Sequence, residues 1–368
     1  MSEEIYIHIP YCQSRCSYCV FHSTTSNSIP DSFITEMILD IKGYREKLSN
    51  IDIDIGDISS IFMGGGSPSL LSSDQLKRII DAISSYIYPV DSMSQEITIE
   101  LNPSDITEPL LIYYKTIGIN RISIGGQSLR DEVLKWMNRR HTSRELLSSI
   151  SLCKKHFDNI SVDFIYGYEG QGIDGWKEEL KEILSLDIPH LSLYELSIEQ
   201  KSSPFIRSKK LSTVGSEDIF SATIETMSSS TYDRYEVSNF AKGGLHCRHN
   251  EAIWRGGVYH NFGASSCGRL RDRSGSWLES KVEENSNNRI IKKLSDKDRL
   301  LEFLITGFRL SSGINRDLLG GKSLSNFFSI EFLQKHKSYF FENVSHIGLT
   351  PSGLDMLDYI LRNLVLSD

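Results

Sequence analysis

The first two hundred residues alternate strand-like and helix-like stretches, and almost every strand is polar along one side. Strands are predicted at 5–10, 58–64, 96–101, 119–125, 159–165 and 189–196. Helical patterns separate them. In "IPDSFITEMILDIKGYREKL" Phe33, Ile34, Met37, Ile38, Ile41 and Leu48 fall on one helical face. Ser72 and Gln75 have capping-box spacing ahead of Leu76, Ile79, Ile80 and Ile83. A run of βα units predicts a parallel sheet, open or curled into a barrel.

The side-chain alternation narrows the choice. Ile5, Ile7 and Ile9 alternate with Tyr6 and His8, and Ile97, Ile99 and Leu101 with Thr98 and Glu100. Ile122 and Ile124 oppose Arg121 and Ser123, with Gln127 just beyond. Val162 and Phe164 oppose Ser161 and Asp163; Leu191 and Leu193 oppose His190, Ser192 and Tyr194. Only the second strand, "ISSIFMGGG", is ambiguous. Parallel strands covered on both faces usually read as continuous apolar runs, and an ordinary barrel lumen is packed with Val, Ile and Leu. In a curled sheet the apolar rows here would meet the helices and the polar rows would face the lumen. Unpaired buried polar groups are costly, so such a lumen holds either a polar ligand or a network of mutually satisfied groups.

Half of the six cysteines, Cys12, Cys16 and Cys19, lie within eight residues directly after the first strand. That is the C-terminal end of a barrel strand, where active sites sit. No apolar run is long enough to cross a membrane, and "MSEEIYIHIP" lacks the basic start and apolar stretch of a signal peptide. A cytoplasmic location is therefore expected. Thiols stay reduced there, so metal binding or catalysis is the better reading than disulfides. A net charge of -8 with scattered basic pairs argues against a nucleic-acid partner. Structural zinc takes four ligands, often as two separated pairs; His8, His22 or a distant cysteine could complete such a set. A four-iron cubane takes one protein ligand per iron, so three thiolates leave one iron open for a small molecule. Gly64, Gly65 and Gly66 permit close approach of a ligand, but they form neither GxGxxG nor GKS/T.

Farther on, the stretch 271–293 is polar and irregular and is read as a linker between residues 1–270 and 294–368. Leu300, Leu301, Leu304, Ile305 and Phe308 have helical spacing. Thr350 and Pro351 have the N-cap and first-turn pattern. The tail reads as a small, mainly helical, winged-helix-like domain.

Cys-x3-Cys-x2-Cys resembles the signature of radical SAM proteins. Its surroundings, "YIHIPYCQSRCSYCVF", are similar to the coproporphyrinogen III oxidase-like branch, as are "GGGSPS", "IELNPSDIT", "GINRISIGGQSL", "NRRHT", "DFIYG", "HLSLYELSIE", "YEVSNFAKGGLHCRHN" and "GFRLSSGI". The resemblance implies an α/β fold, an incomplete (β/α)6 TIM-like barrel with a small C-terminal domain. It implies a [4Fe-4S] cluster on Cys12, Cys16 and Cys19. It implies S-adenosyl-L-methionine in contact with Tyr6, Gly65, Gly66, Ser67, Glu100, Gln127, Arg139 and Asp163. In the generic chemistry a reduced cluster donates an electron to the sulfonium.

The dehydrogenase type of the branch carries a further cysteine two residues after the triad and extra chain before the first strand. Phe21 occupies that position here, and Tyr6 stands close to the start. Both features resemble the heme-chaperone type, which binds cluster, S-adenosylmethionine and heme and passes heme to an acceptor protein without oxidase activity. "CRHNEAIW" resembles the branch's His-Asn-x-x-Tyr-Trp segment, which makes His249, Asn250 and Trp254 the heme candidates. A packed or hydrogen-bonded loop is the other reading of Cys247 and His249. Ile253 replaces the usual Tyr, and "NFGASSCGRL" and "YGYEGQ" also depart from the branch pattern. The expected partners are heme, a heme acceptor and an electron donor such as a flavodoxin or ferredoxin. The alternatives are the oxygen-independent coproporphyrinogen III dehydrogenase, which decarboxylates oxidatively, and a radical SAM protein with another substrate.

Overall fold

The structure, a computed structural model, describes residues 2–197, 216–284 and 288–365. Six parallel strands form its centre: β1 (Glu3–Ile9), β2 (Ile58–Gly65), β3 (Glu96–Leu101), β4 (Arg121–Gln127), β5 (Asn159–Tyr166) and β6 (His190–Glu195). They pair in sequence order, each parallel to the next. The connections carry α1 (Asp31–Ser49), α2 (Ser73–Tyr86), α3 (Glu108–Thr116), α4 (Asp131–Trp136), α5 (Ser143–His156) and α6 (Ile173–Ser185).

The alternation of side chains explains the curl. Ile5, Ile7 and Ile9 are fully buried with Ile34, Met37 and Ile41 of α1 in the main core. Ile61 and Met63 join the same core, whereas Phe62 lies against His249, which settles the ambiguous second strand. The helix starts follow local chemistry. Ser72 accepts from the Gln75 N–H and forms a full capping box on α2, and Thr142 does the same with Glu145 on α5.

The sheet does not end with six strands. Beyond β6 it gains β7 (Asp233–Arg234) and β8 (Asn239–Ala241), with β8 antiparallel to β6. Beyond β1 it gains β9 (Tyr259–Phe262), parallel to β1. An antiparallel run follows: β10 (Cys267–Arg271), β11 (Trp277–Val282) and β12 (Arg289–Lys293). The full order is β12-β11-β10-β9-β1-β2-β3-β4-β5-β6-β8-β7.

The stretch read as an irregular linker, 271–293, is thus largely built into this sheet. Its apolar signal is thin because a buried arginine holds it. The Arg289 side chain is 2% exposed and pairs with Asp40 of α1. It also donates to Asn261 Oδ1 at 2.9 Å and Ser280 Oγ at 2.6 Å, which joins β12 to β9 and β11.

Residues 296–361 build a smaller, mainly helical region with its own core of Leu304, Phe308, Phe327, Ile347, Leu349 and Ile360. It contains a three-stranded antiparallel sheet of Ile314–Asn315, Phe340–Glu342 and His346–Leu349. Thr350 caps the short helix that Pro351 opens. Arg309 pairs with the buried Glu236 at 2.8 Å, and Arg234 with Asp355 at 2.6 Å, which ties this region to the barrel.

Truncating Ile7 should test the helix-facing row. Ile7→Ala is expected to lower stability by about 2–5 kcal/mol. Ile112→Ala, at a half-exposed position on α3, should change it by no more than about 0.5 kcal/mol. Urea unfolding midpoints of the two variants measure the contrast.

Candidate functional site

The strand register brings the polar row to one rim. Glu100 pairs with Ser123, Gly125 with Asp163, and Asp163 with Ser192. At the end of β4 a register shift between Gly125 and Gln127 forms a bulge, with Gln127 at φ +68°. Bulges of this kind re-aim side chains at barrel rims. The rim encloses a cavity of about 450 Å³. Cys12, Cys16, Cys19, Gly65, Gly66, Ser67, Glu100, Gln127, Arg139 and Asp163 all line it.

Two clamps hold the cysteine loop over this cavity. On one side the Gly66 N–H donates to the Ile9 carbonyl at 2.8 Å, and the Ser67 N–H to that of Tyr11 at 2.7 Å. The backbones approach so closely that a Cβ on Gly66 would lie 2.5 Å from the Tyr11 oxygen. Gly65 has φ +110°, and a Cβ there would meet the His8 ring at 2.4 Å, so glycine is required at both positions. On the other side the Ser17 N–H donates to the Met137 carbonyl at 3.0 Å, and Asn138 Nδ2 to that of Arg15 at 2.8 Å.

The electrostatics are those of a site built for charged contents. Glu100 faces the cavity yet lies deep in the protein. Burial, then the Asp163 carboxylate, push its carboxyl up to about 7, against the Gly65 N–H that donates to it at 3.1 Å. Burial likewise raises Asp163, against a hydrogen bond from Ser192 and the charges of Arg121 and Arg139. Arg139 donates to the Gly125 carbonyl at 2.6 Å and to Cys16 Sγ at 3.2 Å, while its buried Nε has no partner. Burial raises the Cys12 and Cys19 thiols. A bound metal reverses that balance, because a coordinating thiol is deprotonated outright.

Cys12, Cys16 and Cys19 are the thiols of this cavity that could hold a metal ion or a cluster. Among the described residues no three His, Cys, Asp or Glu side chains converge on one metal-ion position. Neither His8 nor His22 lines the cavity. Zinc needs four donors gathered tetrahedrally, whereas a cubane takes one thiolate on each iron. Three cysteines lining one cavity supply three such thiolates.

The remaining candidates lie elsewhere. Tyr6 sits below the cavity, where its hydroxyl hydrogen-bonds His8 Nδ1 at 2.8 Å. His249 is at the closed end of the lumen on helix α8 (Arg248–Trp254), following α7 (Ser216–Ser228), and is only 2% exposed. Its Nδ1 bonds the Ser60 hydroxyl at 2.8 Å, its backbone N–H donates to Glu96 at 3.3 Å, and its ring stacks on Phe62 at 5.0 Å. Burial, then Arg121, hold its imidazole down at about 3 and hence neutral. Asn250 and Trp254 are partly exposed, and Arg309 lies 5.6 Å from the Trp254 ring centre. The structure therefore unites the cluster candidates with seven of the eight ligand candidates and leaves His249 apart from them.

The cavity also recruits Tyr18, Arg15 and Arg140, which sequence reasoning did not single out. Tyr18 and Arg15 lie inside the cysteine motif itself, the one available signal. Arg140 looked like half of a surface basic pair, but it reaches Asp105 at 2.8 Å.

Known proteins resemble this chain over most of its length. The radical SAM superfamily profile matches residues 6–183. The chain is 31% identical to heme chaperone HemW of Buchnera aphidicola subsp. Acyrthosiphon pisum, over 83% of this chain and 82% of that one. It is 30% identical to the zebrafish (Danio rerio) mitochondrial radical S-adenosyl methionine domain-containing protein 1, over 84% and 73%. The fold of coproporphyrinogen III oxidase (HemN) from Escherichia coli superposes with a TM-score of 0.78 at 19% identity, over 98% of this chain and 89% of that one. With a strand-end cysteine trio, a polar cavity and these relatives together, the chain belongs to the radical SAM superfamily, in its HemW/HemN branch.

Proposed function

We propose that the protein is a heme chaperone that carries a [4Fe-4S] cluster, S-adenosylmethionine and heme and passes heme to an acceptor protein in the cytoplasm. The observation that carries this reading is that Cys12, Cys16 and Cys19 share one cavity with Gly65, Gly66, Ser67, Glu100, Gln127, Arg139 and Asp163. Phe21, where the dehydrogenase type has its further cysteine, is 62% exposed at the rim. Relatives bearing the heme-chaperone name support the choice within the branch.

The chain's own groups suit such contents. Cys12, Cys16 and Cys19 would hold the cluster, which when bound supplies an electron, received from a flavodoxin- or ferredoxin-like donor, to the sulfonium. Glu100 and Asp163 place two carboxyls on the cavity wall that can answer the cationic groups of the ligand. Gly65 and Gly66 offer carbonyls to an ammonium, and the unpartnered Arg139 Nε can donate to a carboxylate. Ile165 and Leu196 in the wall keep water from the reacting atoms. The His249 imidazole is neutral, as a metal ligand must be. For heme to reach it, α8 must move away from Ser60 and Phe62; Asn250 and Trp254 lie on the same helix.

Anaerobic reconstitution with iron and sulfide, followed by heme titration at the Soret band, tests the assignment. One saturable heme per chain is expected, with weaker binding in His249→Ala, and replacing any one of Cys12, Cys16 and Cys19 by Ala should abolish the cluster. Conversion of coproporphyrinogen at catalytic rates would overturn the chaperone reading in favour of the dehydrogenase.

Ligand binding should also depend on pH with a definite sign. Glu100 is half protonated near pH 7, and a cation favours its charged form. Affinity for S-adenosylmethionine should thus rise between pH 6 and 8, by up to about tenfold per unit below the carboxyl's pKa. Calorimetry on Glu100→Gln should find weaker binding with that dependence lost.

A further inference from the structure

We propose that Arg139 sets the reduction potential of the cluster through its hydrogen bond to Cys16; this rests on the proposed cluster site. The contact is built into the backbone. The residues on either side of Cys16 are both tied to the turn that carries Arg139: the Arg15 carbonyl accepts from Asn138 Nδ2, and the Ser17 N–H donates to the Met137 carbonyl. That turn reverses the chain at the end of α4. Asn138 takes φ +57°, and the Arg139 N–H returns to the Leu134 carbonyl at 2.8 Å.

The guanidinium is equally constrained. Nη2 donates to the Gly125 carbonyl at 2.6 Å, and the planar group then presents Nη1 to Cys16 Sγ at 3.2 Å. Loop, turn and strand thus meet at one cation resting on one of the three sulfurs. Reduction adds a single electron to the cluster and spreads negative charge onto its thiolates. Hydrogen bonds to those sulfurs and nearby charge are what set such potentials. A half-buried cation that donates to Cys16 favours the reduced form. Arg139 is a positioning and tuning residue for the electron-accepting step, beyond any contact its free Nε makes with a ligand.

The test is a potentiometric titration, followed by electron paramagnetic resonance, of anaerobically reconstituted full-length protein without S-adenosylmethionine. Wild type, Arg139→Gln and Arg139→Lys are compared at matched iron and sulfide content. Arg139→Gln should disfavour reduction at least tenfold, a shift of about 59 mV for one electron. Arg139→Lys, which keeps the charge and loses the fork, should fall between. A wild type that loads no iron fails the functional reading. A loaded wild type whose potential matches that of Arg139→Gln overturns the tuning role alone. Loss of the cluster in both variants also overturns it, leaving Arg139 a purely structural part.

Discussion

A curled parallel sheet with a polar inner row must satisfy that row somewhere, and this requirement shapes the molecule. The two solutions open to such a lumen occur at its two ends. At the closed end the groups turn mainly to one another, although Arg121 Nε, Thr98 Oγ1 and one Glu4 oxygen are left without a hydrogen-bond partner. Arg121 approaches Glu96 at 4.0 Å, His190 bridges Ser161 and Tyr235, and His249 holds Ser60. At the other end Glu100, its burial cost increased by the nearby Asp163 carboxylate, faces a cavity with it. The inner row is thus a network below and a binding surface above, and the change occurs within a few residues of each strand.

The cavity end works only because the cysteine loop is held over it. The loop between β1 and α1 has only one short ladder of its own, Tyr11–Cys12 paired with Thr24–Thr25. Its position over the cavity comes from hydrogen bonds to two separate elements, the glycine end of β2 and the turn after α4. The glycines serve backbone proximity at least as much as ligand access, since a Cβ at either Gly65 or Gly66 would collide with the first strand or the loop. This explains why a glycine run and a cysteine run, some fifty residues apart in the chain, behave as one piece.

How much of this was legible in the sequence depended on the range of the interaction. Ile5, Ile7 and Ile9 against Tyr6 and His8 is a two-residue period, visible in any short window, and it implied the barrel and its polar lumen. The cysteine trio and the Ser72 N-terminus are local in the same sense. Strands β11 and β12 were missed because Arg289 does the work of an apolar anchor, and its partners Asp40 and Asn261 lie far away in sequence. His249 escaped for a similar reason. A lone His in a short polar helix carries no sign that Ser60, 189 residues earlier, receives its ring. The motif marked it as a candidate ligand, while its burial at the closed end emerges only from the folded chain.

The buried acid at the cavity also links stability to occupancy. Glu100 and Glu4 both sit near 7 against an ordinary value of 4.5, with burial the chief cause. A carboxyl raised on folding favours the native state while protonated. The advantage is complete below the unfolded pKa and is lost as pH rises through about 7. At neutral pH the empty protein therefore holds acids that would ionise more readily unfolded. Glu4 has no cavity to answer it; one of its oxygens is hydrogen-bonded by Ser59 and the other has no partner. Glu100 differs because it opens on the cavity, where a cation can restore its charge without unfolding. A ligand that binds only the native state stabilises it in proportion to the logarithm of its concentration over its dissociation constant. The same carboxyl that weakens the empty barrel becomes its contact with the bound cation, so the instability is confined to the place where binding can relieve it.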